Sequence, residues 1–454
     1  MFIKTIGIVG AGFTGTALAA TLARLSQKPI RILLFNKQDP FGQGPAYATP
    51  FLHHLLNVYA QDMSAFEDDP NHFVKWLSTY PDLYRYCDLR YPIGLQFFPR
   101  RFYFEYLQTL LKTLKASSFP IDVQFVACEV IDLIQAQGGA TLIVQDHRQF
   151  KVDKVILSLG ANPASSFSFP LSDEISCIHD PWDYVAHTQI PTKDTVFIVG
   201  TGLSMIDVIL TLDHQKHQGP ITAISRHGHL PLPHLLQGKT IPSATFLYPS
   251  RKSHSFRAFM SMMRDDCEHA IASGFAWQKV IELFRPSIPA YWQSFSIREK
   301  KQFLRHASSY WNIHRHRVPQ PVLERLRLLQ KNQLRILAGR VLKTQDVHCV
   351  VKHRVGQNEE KIRTNWLINC MGPSECTKID QWPLIQSLMT RNIASLDPLK
   401  LGLAINQDSA LVNADGDASP ICYCLGAQTK GAYFAVNSVP EIRKTIFKLA
   451  KHLI

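Results

Sequence analysis

The sequence predicts an α/β fold made of two similarly built units, each opening on a parallel sheet. Two observations predict it. Residues 3–25, IKTIGIVGAGFTGTALAATLARL, read as a short apolar strand, a glycine turn and a helix with apolar residues at helical spacing. Residues 196–212, VFIVGTGLSMIDVILTL, repeat that shape in mid-chain. In such a unit Gly10 makes the tight turn, Gly12 lets the backbone approach a pyrophosphate, and Gly15 lets the helix pack closely on the strand. The helix N-terminus adds free N–H groups and a partial positive charge. The expected architecture is two Rossmann-like dinucleotide-binding domains, the second carrying a mostly helical insert.

The first stretch has a competing reading. It is apolar, follows Lys4 and contains Ala17-Leu18-Ala19, as a secretion signal would. A copy in mid-chain cannot be a signal, which favours the working motif for both.

Composition narrows the class. At 454 residues the chain has room for two or three domains. No apolar run of about 20 residues free of charges and glycine clusters occurs, so no transmembrane helix is expected. Nine scattered cysteines without CxxC point to a reducing, cytoplasmic setting rather than a disulfide framework. The net charge is +13, and residues 298–343 hold twelve Lys or Arg against two acids. That cluster reads as a solvated basic face, or as a site for a phosphorylated or carboxylated ligand or an acidic surface. No nucleic-acid module accompanies it, so no nucleic-acid partner is expected.

The two glycine loops head longer parallel segments. After the first come VQFVACEVIDLIQ (123–135), TLIVQ and VDKVILSLGANP, a buried strand ending at Gly160. After the second come LRILAGRVLKTQ (334–345), HCVVKH and RTNWLINCMGPS, ending at Gly372. Both read as a parallel sheet with a small antiparallel addition. Between them, 161–195 is rich in Pro, Ser and Asp and reads as an interdomain connection. Residues 232–331 read as the helical insert; thirteen of the 66 residues from Phe246 to Trp311 are aromatic, which fits a subdomain with its own core or a lid over a substrate. At the end, Ser438-Val-Pro-Glu441 reads as a capping box opening the last helix.

This layout resembles the two-dinucleotide-binding-domain flavoproteins. Within them it is similar to the FAD-NAD(P)-binding family of the FAD-dependent urate hydroxylase type and to bacterial amino-acid N-monooxygenases. The resemblance runs over nearly the whole chain. It is carried by GAGFTG (10–15), FGQGPAYATP (41–50), HLLNVYAQDMS (54–64), FPRRFYFEYL (98–107), VGTGLSMIDV (199–208), ISRHG (224–228), IHRHRVP (313–319) and SVPEIR (438–443). It implies FAD in a domain of residues 1–165 and 395–454. It implies NAD(P)H in a domain of residues 185–394, and a final helix whose positive end aims at the flavin.

The resemblance also assigns candidate residues. Gly10, Gly12, Gly15, Gly160 and Gly426 would contact FAD, and Asn36 stands where an acid usually meets the ribose. Asn57 and Met63 lie in the loop placed near the flavin ring, Asn57 as a hydrogen-bond donor to reacting oxygen or nicotinamide. Arg100 heads a helix facing the cofactor. In the second unit Gly200, Gly202 and Ser204 form the phosphate loop. Ser225 and Arg226 end its second strand, where an NAD-specific site would place an acid; no acid occurs between Gly219 and His234, which favours NADPH. Phe434-Ala435 stand where an aromatic followed by an acid is expected.

Two groups read differently by residue type. His314-Arg315-His316-Arg317 holds two histidines at i and i+2 without a neighbouring carboxylate or cysteine, so no metal is expected; Arg315 and Arg317 could instead hold a substrate anion. Cys370, Cys376, Cys422 and Cys424 lack the spacing of a flavin-linked redox disulfide and read as buried thiols. The favoured function is an FAD-dependent, NADPH-using monooxygenase hydroxylating a small polar or anionic molecule. An NAD(P)H oxidase or electron-transfer reductase, and a non-enzymatic flavin-binding protein, are the alternatives.

Overall fold

The computed structural model describes residues 3–118, 120–235, 255–373 and 382–454. Two large sheets organise it. The first has the order β15 (Ala410–Val412), β16 (Ala418–Cys424), β7 (Lys154–Leu157), β1 (Lys4–Val9), β2 (Ile30–Asn36), β3 (Ile121–Ala127). All its pairings are parallel except β15 with β16. The second has the order β13 (Glu359–Arg363), β12 (His348–His353), β11 (Leu334–Gln345), β10 (Ile221–Ser225), β9 (Val196–Val199), β14 (Trp366–Asn369), β8 (Ser176–Ile178). Its central pairings are parallel, and β12 and β13 add the antiparallel edge. In the first unit the antiparallel addition is a separate sheet of β4 (Val130–Ala136), β5 (Gly139–Val144) and β6 (Gln149–Val152). The predicted fold class is the observed one.

Small residues set the packing of the first unit. Helix α1 (Phe13–Leu25) buries every residue from Gly15 to Leu22, and Ala17, Ala19 and Ala20 let it lie close to its neighbours. Those neighbours include α2 (His72–Ser78), α3 (Arg100–Lys115) and α14 (Val439–Leu453), which share one core with it. Phe98, Phe102, Tyr103 and Tyr106, on and before α3, place four fully buried aromatic side chains in it.

In the second unit α5 (Leu203–His214) and α11 (Gln320–Asn332) pack in the core of β9 and β10, Met205 being fully buried there. Helices α6 (Phe256–Ala272), α7 (Trp277–Phe284), α8 (Ile288–Ser294), α9 (Ile297–His306) and α10 (Ser308–Arg315) form the insert. Phe259, Phe284, Trp292, Phe303 and Trp311 centre its core, together with Phe434 from the closing loop. Trp292 stacks on Phe434 at 4.5 Å and donates to the Gly431 carbonyl at 2.8 Å. Gly431 lies in the short helix α13 (Lys430–Tyr433), and Phe434 ends it. Phe434 has φ 42°, a conformation bulky residues rarely adopt, and the insert packs around it.

Four boundaries differ from the sequence reading. Residues 161–195 are not merely a connection: they supply edge strand β8 and the short α4 (Tyr184–Thr188). The insert ends before α11, whose Val322, Leu323, Leu326 and Leu329 belong to the second unit's core. Helix α12 (Pro383–Thr390) buries Leu384, Ile385 and Leu388 against the first unit, so the chain returns before residue 395. At Ser438 no side-chain cap forms: its hydroxyl donates to the Glu441 carboxylate, which two arginines also hold. A reciprocal capping box does exist at Ser296 and Glu299, opening α9. Residues 236–254, part of the predicted insert, and Cys376 lie outside the described residues.

Candidate functional site

The first glycine loop is built for close approach. Gly10 has φ 98°, and a Cβ there would stand 2.4 Å from the Ser158 carbonyl oxygen. A Cβ on Gly15 would stand 1.9 Å from the Gly10 carbonyl, so strand end and helix touch only because glycine is present. Gly12 is different. It caps α1, and a Cβ there would meet only the Gly44 Cα, at 3.9 Å. Its missing side chain leaves room for a ligand, beside helix N–H groups with no acid in the first turn. Asn36 accepts from the Ala11 N–H at 3.3 Å and donates to the Gln38 carbonyl, so its amide shapes the loop. Gly426, at φ 80°, packs over Thr14 of α1. Gln428 donates to the Gly160 carbonyl at 2.9 Å and to Asn162 at 2.8 Å, tying the end of β7 to the closing loop.

The second loop repeats this plan. Gly200 has φ 114°, and its Cβ would fall 2.0 Å from the Cys370 carbonyl; Gly202 caps α5 and would meet nothing within 4 Å. Ser204 lies in the first turn of α5. The Ser225 hydroxyl is engaged inside the loop, bonded to Thr201 Oγ1 at 2.8 Å and accepting from the Gly228 N–H at 3.0 Å. Arg226 is exposed, and its carbonyl accepts from Arg354 Nη1 at 3.3 Å. Burial, then Arg354, His229 and Arg226, hold His227 below the usual imidazole pKa, which marks a positive corner at the end of β10. Arg354 escaped the sequence reading because it arrives from the β12–β13 turn, far along the chain.

A cavity of about 610 Å³ lies where loop 57–62, the insert and the start of α14 meet. Asn57, Arg315 and Arg317 all line it, so three residues read separately from the sequence come together. Arg285 and Arg315 both hold the Glu441 carboxylate, at 2.6 and 2.8 Å, while Arg317 and Lys279 pair with Glu282 at 3.1 and 3.0 Å. Burial, then Arg285, lowers the Arg315 pKa to about 10. Burial also raises the Asp62 carboxyl, with Arg285 and Arg443 opposing. The His234 Nε2–H donates to the Asn57 carbonyl at 2.9 Å. Burial and the Arg317 charge push its pKa down to about 3, so it is neutral and serves as the donor. Neither His234 nor Glu441 stood out in the sequence as part of this wall.

Two assigned residues sit elsewhere. Arg100 is buried and spends its guanidinium on Asp207 of α5 at 2.7 Å and on the Leu55 carbonyl at 3.0 Å. It joins the two units rather than facing a cofactor cleft; burial outweighs Arg100 and leaves the Asp207 pKa raised. Met63 is buried in the first unit's core, behind the loop it belongs to. Among the described residues no three His, Cys, Asp or Glu side chains gather to hold a metal, and no helix is long and apolar enough to cross a membrane. Cys370, Cys422 and Cys424 are buried, and burial pushes the Cys422 thiol up to about 11.

Residues 7–162 match the FAD-NAD(P)-binding family. Among solved structures, the ornithine N-hydroxylase of Kutzneria sp. 744 is 14% identical, covers 100% of this chain and 99% of its own, and has a TM-score of 0.68. The cadaverine monooxygenase of Erwinia amylovora, described as bound to FAD, is 11% identical over 100% and 95%, also with a TM-score of 0.68. The bacillithiol disulfide reductase of Staphylococcus aureus is 12% identical over 99% and 98%, with a TM-score of 0.56. The fold is thus shared with flavin-dependent oxidoreductases over the full chain. No curated protein sequence matches it. A side chain is missing at Gly12 and at Gly202, each at a helix N-terminus, and Asn36 stands beside the first of these loops.

Proposed function

We propose that the protein is an FAD-dependent, NADPH-using monooxygenase acting on a small polar substrate. The observation that carries this reading is the pair of glycine loops in one chain, each leaving side-chain space empty at a helix N-terminus. Gly10, Gly12, Gly15, Asn36, Gly160 and Gly426 would hold FAD; Gly200, Gly202, Ser204, Arg226 and Arg354 would hold NADPH. Bound there, FAD supplies the redox chemistry and the reaction with oxygen. The chain's own work is placement. His234 fixes the Asn57 carbonyl, leaving the Asn57 amide to orient a bound group. The start of α14 points its partial positive charge toward the same cavity, where Pro440 and Glu441 stand.

A second reading, an NAD(P)H-dependent reductase, is favoured by the full-length likeness to the bacillithiol disulfide reductase. The experiment separating them is anaerobic bleaching of the purified protein by NADPH, followed by oxygen uptake in air. A monooxygenase consumes NADPH with little hydrogen peroxide only when its substrate is present. Peroxide regardless of substrate indicates an oxidase; absence of bleaching rejects both.

The Arg226 side chain carries the cofactor preference in this proposal. A hydrogen bond to a charged group contributes about 1.5–3 kcal/mol, roughly tenfold to a hundredfold in affinity. Arg226→Ala is expected to raise KM for NADPH at least about tenfold while leaving that for NADH nearly unchanged. Equal losses for both would assign Arg226 a structural role.

A further inference from the structure

The cavity beside loop 57–62 is more basic than its ion pairs require. Six cationic side chains line it, Lys279, Arg285, Arg315, Arg317, Arg443 and Lys444, against three acids, Asp62, Glu282 and Glu441. Arg443 turns outward to Glu67 at 2.9 Å. Within the wall, Glu441 is shared by two arginines and Glu282 by Arg317 and a lysine. Each carboxylate therefore answers more than one positive charge.

The two central guanidiniums are also incompletely bonded. The Arg315 and Arg317 side chains are only 6% and 4% exposed. Arg315 Nε and Arg317 Nε and Nη1 have no hydrogen-bond partner among the described residues. A guanidinium carries five N–H donors, and a buried one left unpaired is costly. Converging like charges add to that cost unless an anion joins them.

We propose that this cavity binds a small organic anion, carboxylate or phosphate ester, with Arg315 and Arg317 as its anchors and Lys444 at the rim. The proposal deepens the monooxygenase reading by naming its substrate class. It also separates this chain from the neighbour described as a cadaverine monooxygenase: a diamine brings positive charge only, and this wall already carries an excess of it.

The test is calorimetric titration of the FAD-loaded protein at low salt, without NADPH. Succinate and glycerol 3-phosphate distinguish a carboxylate from a phosphate ester, and cadaverine is the cationic comparison. At least one anion is expected to bind, weakening as salt rises, and cadaverine is not. Arg317→Gln is expected to weaken the anion at least tenfold with FAD content retained. Should that variant fail to fold, Lys444→Gln, at an exposed position, is expected to weaken it about threefold. Binding of cadaverine in preference to both anions, or anion affinity unchanged in a folded variant, overturns the proposal. Because no turnover is read, a protein that binds succinate but is not bleached by NADPH rejects the monooxygenase reading alone.

Discussion

A Gly12→Leu protein is expected to fold and to lose FAD. The backbone at Gly12 has φ −71° and ψ −155°, which leucine can adopt. A Cβ there meets only Gly44 Cα at 3.9 Å, so nothing in the protein opposes the new side chain. What it displaces is a ligand that must pass close to the backbone at the N-terminus of α1. The expected loss of FAD affinity is at least about a hundredfold, roughly 3 kcal/mol. Thermal melting of the cofactor-free protein should change little, apart from the modest cost of an apolar N-cap. Gly202→Leu is the matched variant: it should keep FAD and lose NADPH. Gly15→Ala would not be a clean control, since its Cβ would strike the Gly10 carbonyl at 1.9 Å. A folded Gly12→Leu protein with a full complement of FAD would remove this loop from the cofactor site.

Mild acid is expected to destabilise the protein steeply. His54 is fully buried between Thr49 Oγ1 at 2.7 Å and Thr211 Oγ1 at 3.0 Å, and its pKa is pushed down to about 3 by burial and by Arg100. His234 is pushed equally low by burial and Arg317. Both histidines are neutral in the native state at pH 5.5, whereas in the unfolded chain they take up protons below about 6.5. The unfolded state thus binds more protons, and native stability falls as pH falls. From pH 7 to 5.5 each contributes a loss of about 1.2 kcal/mol, about 2.5 kcal/mol together. That is a large share of an ordinary folding stability of about 5–15 kcal/mol. Asp62 and Asp207, whose pKa values are raised, oppose the trend as the pH falls further. Urea midpoints at the two pH values measure the loss, and His234→Gln should remove only its own share, about 1.2 kcal/mol, because burial also pushes His53 down to about 4 and His316 to about 3. A midpoint that does not move would mean that these rings are protonated or solvated in the native state.

The parts of the fold legible in the sequence are those with local signatures. A glycine in a turn with positive φ, followed by small residues at helical spacing, reports strand, loop and helix within twenty residues. Gly10 to Leu25 and Gly200 to His214 were readable for that reason. Asn57, Arg315 and Arg317 were found as residue types, but their convergence was not, because it depends on the insert folding back onto α14. Arg354 and His234 stayed hidden on the same ground. Arg100 and Glu441 take partners that their neighbours in sequence do not show. At Arg100 the decisive partner, Asp207, is 107 residues away. At Glu441 the local capping box lost to Arg285 and Arg315, since a carboxylate gains more from two guanidiniums than from the Ser438 backbone N–H.

Phe434 gives the insert a second allegiance. The insert is encoded within the second unit, yet its aromatic core closes around a residue of the C-terminal segment, with Arg285 reaching Glu441 beside it. Any swing of the two halves about their connections must carry the insert along with the C-terminal segment or pull Trp292 off Phe434. The insert is therefore not a cassette. Transplanting it between relatives requires exchanging the tail from Gly431 to Glu441 at the same time, and two changes on opposite sides of that seam will be coupled rather than additive.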